Sequence, residues 1–321
     1  MEALSIDAPA GISGGTGTVF ASEANLVCKR MPVRGDFSSV KVLAEVITGF
    51  LVDERSEFLC PCLGASESAA GVVTTVMPRL GCDLVQLINH SSQTRLTAPV
   101  VEKILKDCAS SLLELQRVLG PACSHGDIKL DNVMVSGRDG KGDVGATLID
   151  YGHAKARKFR SRRKRLGYWD PPEDTEEGVA SDVWSLGILC LVATSPRCRA
   201  WLRQHPGARG AIALVAHLCG AWPTTNDLGL ASLGPFRRRR VERVILRASG
   251  LYKGRRGEVR RAVDEYRRLV EPSSTLARQV SLCLSWSPSS RPSPGDLFAA
   301  LSGSFLLSAV PEALRDRAMR P

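Results

Sequence analysis

The amino-acid sequence predicts an α+β fold in which a small, β-rich N-terminal part carries one helix and a larger C-terminal part is mainly helical. Three observations predict it. Residues 1–77 hold short apolar, β-rich runs around a single helical repeat. A 3.6-residue amphipathic periodicity then takes over at Pro99, and from Ser181 onward the chain reads as mostly helical. At 321 residues there is enough chain for one large or two small domains.

The elements follow in order. Gly11-Ile12-Ser13-Gly14-Gly15-Thr16-Gly17-Thr18-Val19 is a glycine-rich run, and glycine lets a hairpin backbone approach groups that a Cβ would exclude. A short turn, Ser22-Glu23-Ala24-Asn25, leads to the strand-like Leu26-Val27-Cys28-Lys29. Ser38–Leu51 reads as a helix, with Val42, Val46 and Phe50 at helical spacing and Ser38 or Ser39 as its cap. Glu45 lies inside it, sixteen residues after Lys29. Gly71–Met77 reads as a buried strand and runs into Pro78-Arg79-Leu80-Gly81-Cys82-Asp83-Leu84. Pro99–Leu119 is an amphipathic helix with Val101, Ile104, Leu105, Cys108, Leu112 and Leu115 on one face. Residues 120–150 are loop and short strands, ending in the apolar Ala146-Thr147-Leu148-Ile149, which delivers Asp150 at a turn. The stretch from Thr194 to about Gly234 carries no readable motif, and there are no internal repeats.

The chemistry concentrates in His125-Gly126-Asp127-Ile128-Lys129-Leu130-Asp131-Asn132. The spacing H-x-D-x-K-x-x-N suits phosphoryl transfer. Asp127 would accept the proton of an attacking hydroxyl, and Lys129 would neutralise the transferred phosphate. Asn132, five residues after the Asp, would ligate a metal ion, and Asp150 supplies a second metal ligand eighteen residues on. A lone His beside an Asp is usually a satisfied structural pair; five such residues at this joint spacing are not.

These residues resemble the protein kinase superfamily, and the resemblance extends over roughly residues 11–300. Gly14, Gly17 and Val19 match its glycine-rich loop, although Ile12, preceded by Gly11, stands where the first glycine is usual. Lys29 and Glu45 resemble the ion pair that orients the α/β-phosphate lysine. Met77 takes the gatekeeper position. In the hinge the Pro78 carbonyl would accept from the adenine amino group, a use for which proline is fit, and the Leu80 N–H would donate. Asp170-Pro171-Pro172-Glu173 resembles the A-P-E that closes an activation segment. Ser181-Asp182-Val183-Trp184-Ser185-Leu186-Gly187 and Trp286-Ser287-Pro288 with Arg291-Pro292 resemble two late signals, and Glu173 with Arg291 would form a buried ion pair.

The resemblance implies a bilobal protein-kinase-like fold: N-lobe 1–77, hinge 78–84, C-lobe 85–305 and tail 306–321, with one kinase domain over about 11–305. It implies ATP and Mg²⁺ as cofactors and protein Ser/Thr hydroxyls as acceptors. Lys129 points to Ser/Thr specificity, whereas Leu166 and Trp169 lean toward the tyrosine-kinase pattern. Tyr151 replaces the Phe of D-F-G. Gly126 replaces the Arg that usually receives an activation-segment phosphate, so activity without activating phosphorylation is expected. Two alternatives stand beside this reading. Aminoglycoside- or choline-type kinases often carry H-G-D-x-x-x-x-N before an I-D-x-G strand, as here, but Lys129, Glu173, Asp182 and Arg291 speak for a protein kinase. A pseudokinase scaffold lacks some of Lys29, Glu45, Asp127, Asn132 and Asp150, all present here. The hinge run and the catalytic loop without Arg also look like herpesvirus protein kinases, which implies the virion tegument and the host nucleus or cytoplasm as setting.

Composition bounds the partners. The net +10 is concentrated in Lys155–Arg165, Phe236–Arg243 and Lys253–Arg268. A solvated basic face is the plain reading; attraction of acidic protein substrates or a nuclear-localisation signal is the sharper one. The basic runs have little aromatic interleaving, so no nucleic-acid partner is expected. The longest apolar run, Leu186–Ala193, is too short to span a bilayer, and residues 1–20 lack the apolar core of a signal peptide. Ten scattered cysteines give no zinc spacing and read as reduced thiols of an intracellular protein, and a monomer is expected.

Overall fold

The computed structural model describes residues 12–13, 17–22, 25–33, 35–90, 96–138, 143–154, 178–194, 275–285 and 287–303. The first of its two sheets has five strands: β1 (Ile12–Ser13), β2 (Thr18–Ala21), β3 (Leu26–Pro32), β4 (Gly64–Glu67) and β5 (Val72–Pro78). Their spatial order is β1-β2-β3-β5-β4, and every neighbouring pair is antiparallel. Asn25 makes the β2–β3 turn at φ +62, a left-handed conformation that Asn tolerates better than most residues. In β3, Cys28 and Met31 are buried, and Lys29 is buried with them.

Helix α1 spans Gly35–Leu51 and crosses this sheet. It starts three residues before the Ser38 that sequence reasoning chose as its cap, and Ser39 Oγ instead bonds the Gly35 carbonyl at 3.0 Å within the first turn. The buried face also differs from the expected stripe. Val42, Glu45, Thr48, Gly49 and Val52 turn inward, Val46 is half-buried, and Phe50 is 52% exposed. The cause is the buried partner of Glu45: a helix that must aim a carboxylate inward rotates its longest apolar side chains out. Val40, Leu43, Ile47, Phe50 and Leu51 therefore line the outer face.

The second sheet, β6 (Cys82–Asp83), β7 (Val133–Arg138) and β8 (Asp143–Leu148), is also antiparallel and in sequence order. Pro78 is the last residue of β5, Cys82 and Asp83 pair with β7, and Leu84 opens a helix, so the segment 78–84 carries regular structure at both ends. Against this sheet pack α2 (Leu84–His90) and α3 (Ala98–Leu119); α4 (Val179–Thr194) and α6 (Pro294–Leu301) pack on α3, and α5 (Thr275–Cys283) packs on α4. All six residues on the apolar face of α3 named above are buried, each worth about 1.5–3 kcal/mol for a full-sized aliphatic side chain. On that face also lies Asp107, whose carboxylate accepts from Lys103 Nζ at 2.6 and 2.7 Å and from the Ala146 N–H at 3.1 Å, tying α3 to β8. At α6 a full capping box joins Ser293 and Asp296.

The connector from α1 to β4 stitches the two parts together. Leu59 is fully buried and bridges Leu148; the Leu148 N–H donates to the Phe58 carbonyl at 2.9 Å, and Ser111 Oγ donates to the same carbonyl at 2.8 Å. Among the described residues, eight cysteines are free, no group of three or more His, Cys, Asp and Glu side chains gathers as metal ligands, and no helix is long and apolar enough to cross a membrane.

Candidate active site

Two groups of side chains meet at the turn that follows β8. The first is Lys29, Glu45 and Asp150. β3 carries Lys29 inward, α1 lays Glu45 over it, and the turn after β8 brings Asp150. Lys29 Nζ donates to Glu45 Oε1 at 2.9 Å and lies 3.4 Å from Asp150 Oδ1. One ammonium thus serves two carboxyls in a dry site. Burial alone would push Lys29 down, but the two acids hold its pKa above the ordinary value. Burial pushes Glu45 up to about 7 against the pull of Lys29. Asp150 would also rise on burial, yet Lys29, a bond from Glu45 and the charge on Lys129 hold it below the usual carboxylate range. Of the two acids, Asp150 is therefore the one kept ionised, and Glu45 carries the cost of their proximity. Asp150 also sits at φ +68, ψ +73, a left-handed conformation that costs a non-glycine residue about 1–3 kcal/mol and clusters at functional sites.

The second group is the loop from His125 to Asn132. Lys129 Nζ donates to Asp127 Oδ2 at 2.8 Å, and Asn132 Nδ2 donates to Asp127 Oδ2 at 3.1 Å and to the Asp127 carbonyl at 2.7 Å. Both side-chain bonds fall on one oxygen of Asp127. Burial would lower the Lys129 pKa, but Asp127 raises it, with help from Asp150 and Asp131. The two groups are joined by backbone. The Ile149 N–H donates to the Asn132 carbonyl at 3.1 Å, so the β7–β8 hairpin sets Asn132 beside the residue that precedes Asp150. His125 closes the link: its Nε2 meets the Ile149 carbonyl at 3.0 Å and its Nδ1 accepts the Asp127 N–H at 3.3 Å, which fits the tautomer protonated on Nε2.

Asp182 was readable in sequence only as part of a helix-start motif, yet it anchors the loop. At the start of α4 and 2% exposed, its carboxylate accepts from the His125 N–H at 2.7 Å and the Gly126 N–H at 2.9 Å. Gly126 takes φ +76, and a Cβ there would lie 2.8 Å from the His153 carbonyl. Its glycine is thus a backbone requirement of this loop as well as the loss of an Arg side chain. The available signal for Asp182 was a carboxylate entering an otherwise apolar helix.

The remaining candidates divide. Gly17 borders β2, where a Cβ would overlap the Arg30 carbonyl, and Val19 pairs with Lys29 across β2–β3. Ile12 pairs with Val19 in β1–β2, while Gly11 and Gly14 lie outside the described residues. Pro78 pairs with Leu26 at the end of β5, and Leu80 follows Arg79, whose N–H donates to the Asn25 carbonyl at 2.7 Å. Glu173, Trp286, Leu166, Trp169 and the three basic segments also lie outside. Arg291, paired with Glu173 in the sequence reading, is described: it donates to the Ser285 and Ala180 carbonyls at 2.9 and 3.0 Å and stacks over Trp184 at 5.0 Å. Burial pushes the nearby Cys60 thiol up to about 12, which leaves no thiolate for chemistry beside the ion pair.

No family model matches the chain. It is similar to the serine/threonine-protein kinase STE20 of Yarrowia lipolytica, 28% identical over 192 residues, which is 56% of this chain and 16% of that protein. The chain thus spans about a sixth of that relative's length. The similarity supports a protein kinase superfamily relationship and a mixed α/β kinase-compatible fold, and nothing in it points to a herpesvirus.

Proposed function

We propose that this chain is an ATP-dependent protein kinase that transfers the γ-phosphate to Ser/Thr hydroxyls of protein substrates. The observation that carries the reading is the meeting of Lys29–Glu45–Asp150 with Asp127–Lys129–Asn132 across one hairpin. Asp127, whose Oδ2 is held by Lys129 and Asn132, keeps its other oxygen for the proton of the substrate hydroxyl. Lys29, steadied by Glu45, would pair the α/β-phosphates, and Lys129 would meet the transferred group. One carboxylate and one amide oxygen, on Asp150 and Asn132, suit Mg²⁺, which prefers few protein ligands together with phosphates and waters. When bound there, the ion would neutralise phosphate charge. The strained backbone and low pKa of Asp150 favour that use.

Lys129 favours Ser/Thr acceptors, and the basic segments favour acidic protein substrates. A tegument or host-nuclear setting rests on the resemblance of the hinge run and of the loop without Arg to herpesvirus protein kinases. The second reading, a small-molecule kinase, is favoured by Gly126, whose backbone suits glycine. Mass spectrometry of a peptide library incubated with the protein, ATP and Mg²⁺ separates the two. Phosphorylated Ser/Thr peptides, acidic above basic, are expected; transfer to an aminoglycoside or choline and to no peptide would overturn the proposal.

A further inference from the structure

Tyr151 makes contacts that a phenylalanine cannot. Its ring is buried edge-on to His125, with centroids 5.9 Å apart and planes at 69°. Its hydroxyl accepts from the Cys60 N–H at 2.6 Å, and its single proton reaches the Leu148 carbonyl at 3.0 Å, with the Cys60 carbonyl at 3.2 Å as the alternative. These partners lie on the α1–β4 connector and at the end of β8. We propose that the Tyr151 hydroxyl is a positioning residue: it tethers the Asp150-Tyr151-Gly152 turn to the connector and so holds the Asp150 carboxylate where it faces Lys29. The proposal rests on the kinase reading in that it treats Asp150 as a metal ligand.

Asp150 needs such a tether because a left-handed non-glycine residue persists only where its surroundings hold it. Upstream the chain is pinned by the Leu148 N–H on Phe58, by the Ile149 N–H on Asn132 and by His125 on the Ile149 carbonyl. Downstream the hydroxyl supplies the link to a separate part of the chain, 91 residues away in sequence. The turn also lies against α1. The Cβ direction of Gly152 points to the Lys41 carbonyl at 3.4 Å and Glu45 Oε2 at 3.7 Å. A turn that slips would therefore disturb Glu45 and, through it, Lys29.

Tyr151→Phe in the full-length chain tests this, since Phe fills the same ring space and removes only the oxygen. Two quantities are read: ATP binding as a function of Mg²⁺, and amide hydrogen exchange of residues 58–62 and 149–153. The Mg²⁺ concentration for half-maximal ATP binding should rise about three- to tenfold, the range set by one hydroxyl's net hydrogen bonding. ATP affinity in EDTA should stay unchanged, and exchange in the two segments should quicken by a similar factor. Unchanged Mg²⁺ dependence, whether or not exchange quickens, would overturn the positioning role. Wild-type protein that binds no Mg²⁺·ATP would instead sink the kinase reading, and the tether would then stand or fall on the exchange comparison alone.

Discussion

Replacing Asp182 by Ala should damage the His125–Asn132 loop from 57 residues away in sequence. The carboxylate is 2% exposed and accepts two backbone N–H bonds, at 2.7 Å from His125 and 2.9 Å from Gly126. Removing it leaves two donors without this acceptor, one buried at His125 and one part-buried at Gly126. Each such group costs about 1–3 kcal/mol, so the loss should be about 2–6 kcal/mol, at the upper end of single-residue effects. Asp182→Asn should cost roughly half as much, because the amide oxygen can still accept from one N–H while its NH₂ faces the other. Urea unfolding of both variants measures the stability, and kcat/KM on a peptide substrate measures the loop. Gly126 has no side chain and holds φ +76, so the loop has little else to fix it there; activity should fall further than stability alone predicts. Losses below about 0.5 kcal/mol for Asp182→Ala would refute the reasoning, since that is the range of surface substitutions.

Lys29→Met should lower kcat/KM at least a hundredfold by removing a preorganised cation from the phosphates, with circular dichroism and Tm showing the first sheet intact; wild-type turnover would mean the Lys29–Glu45 pair is misassigned. Glu45 should make the nucleotide-free protein less stable as pH rises through about 7, because its folded pKa lies above the ordinary glutamate value of 4.5. The folded state holds that proton more tightly than the unfolded chain, so the stabilisation is full below pH 4.5 and is lost through pH 7. Across that window Asp150, lowered, stays ionised and Lys29, raised, stays charged. Glu45→Gln should flatten the Tm–pH curve between about pH 5 and 8, and an unchanged slope would place the titration elsewhere.

Much of this site could be read from residue order because its chemistry needs side chains at fixed intervals. Lys29 and Glu45, and the run from His125 to Asn132, come together through strand–helix and loop geometry that spacing encodes. The apolar face of α3 was legible for a simpler reason: it packs against other apolar residues, so periodicity and burial agree. In α1 they disagree. Val42, Val46 and Phe50 are spaced for a core, and Val42 is buried, but further along the helix burial follows Glu45 and Thr48 and leaves Phe50 outside, because the helix is rotated by a polar partner on β3. The Tyr151 hydroxyl and the Asp182 carboxylate were invisible for a related reason. Their partners are backbone groups 91 and 57 residues away, and a backbone amide has no residue type to recognise. Gly126 was legible as the absence of Arg, but its positive φ and its contact with His153 are tertiary facts.

The central claim is that Asp127 acts on the acceptor hydroxyl while the other residues hold the nucleotide. It is tested most directly by Asp127→Asn, assayed for γ-phosphate transfer from labelled ATP to a Ser/Thr peptide and, in parallel, for Mg²⁺·ATP affinity. Asn keeps the shape of Asp127 and its place beside Lys129 and Asn132 but cannot take up the proton. The account predicts transfer reduced by at least about a hundredfold, with ATP affinity within about threefold of wild type. Transfer that survives the substitution, or a loss explained wholly by weaker ATP binding, would contradict it.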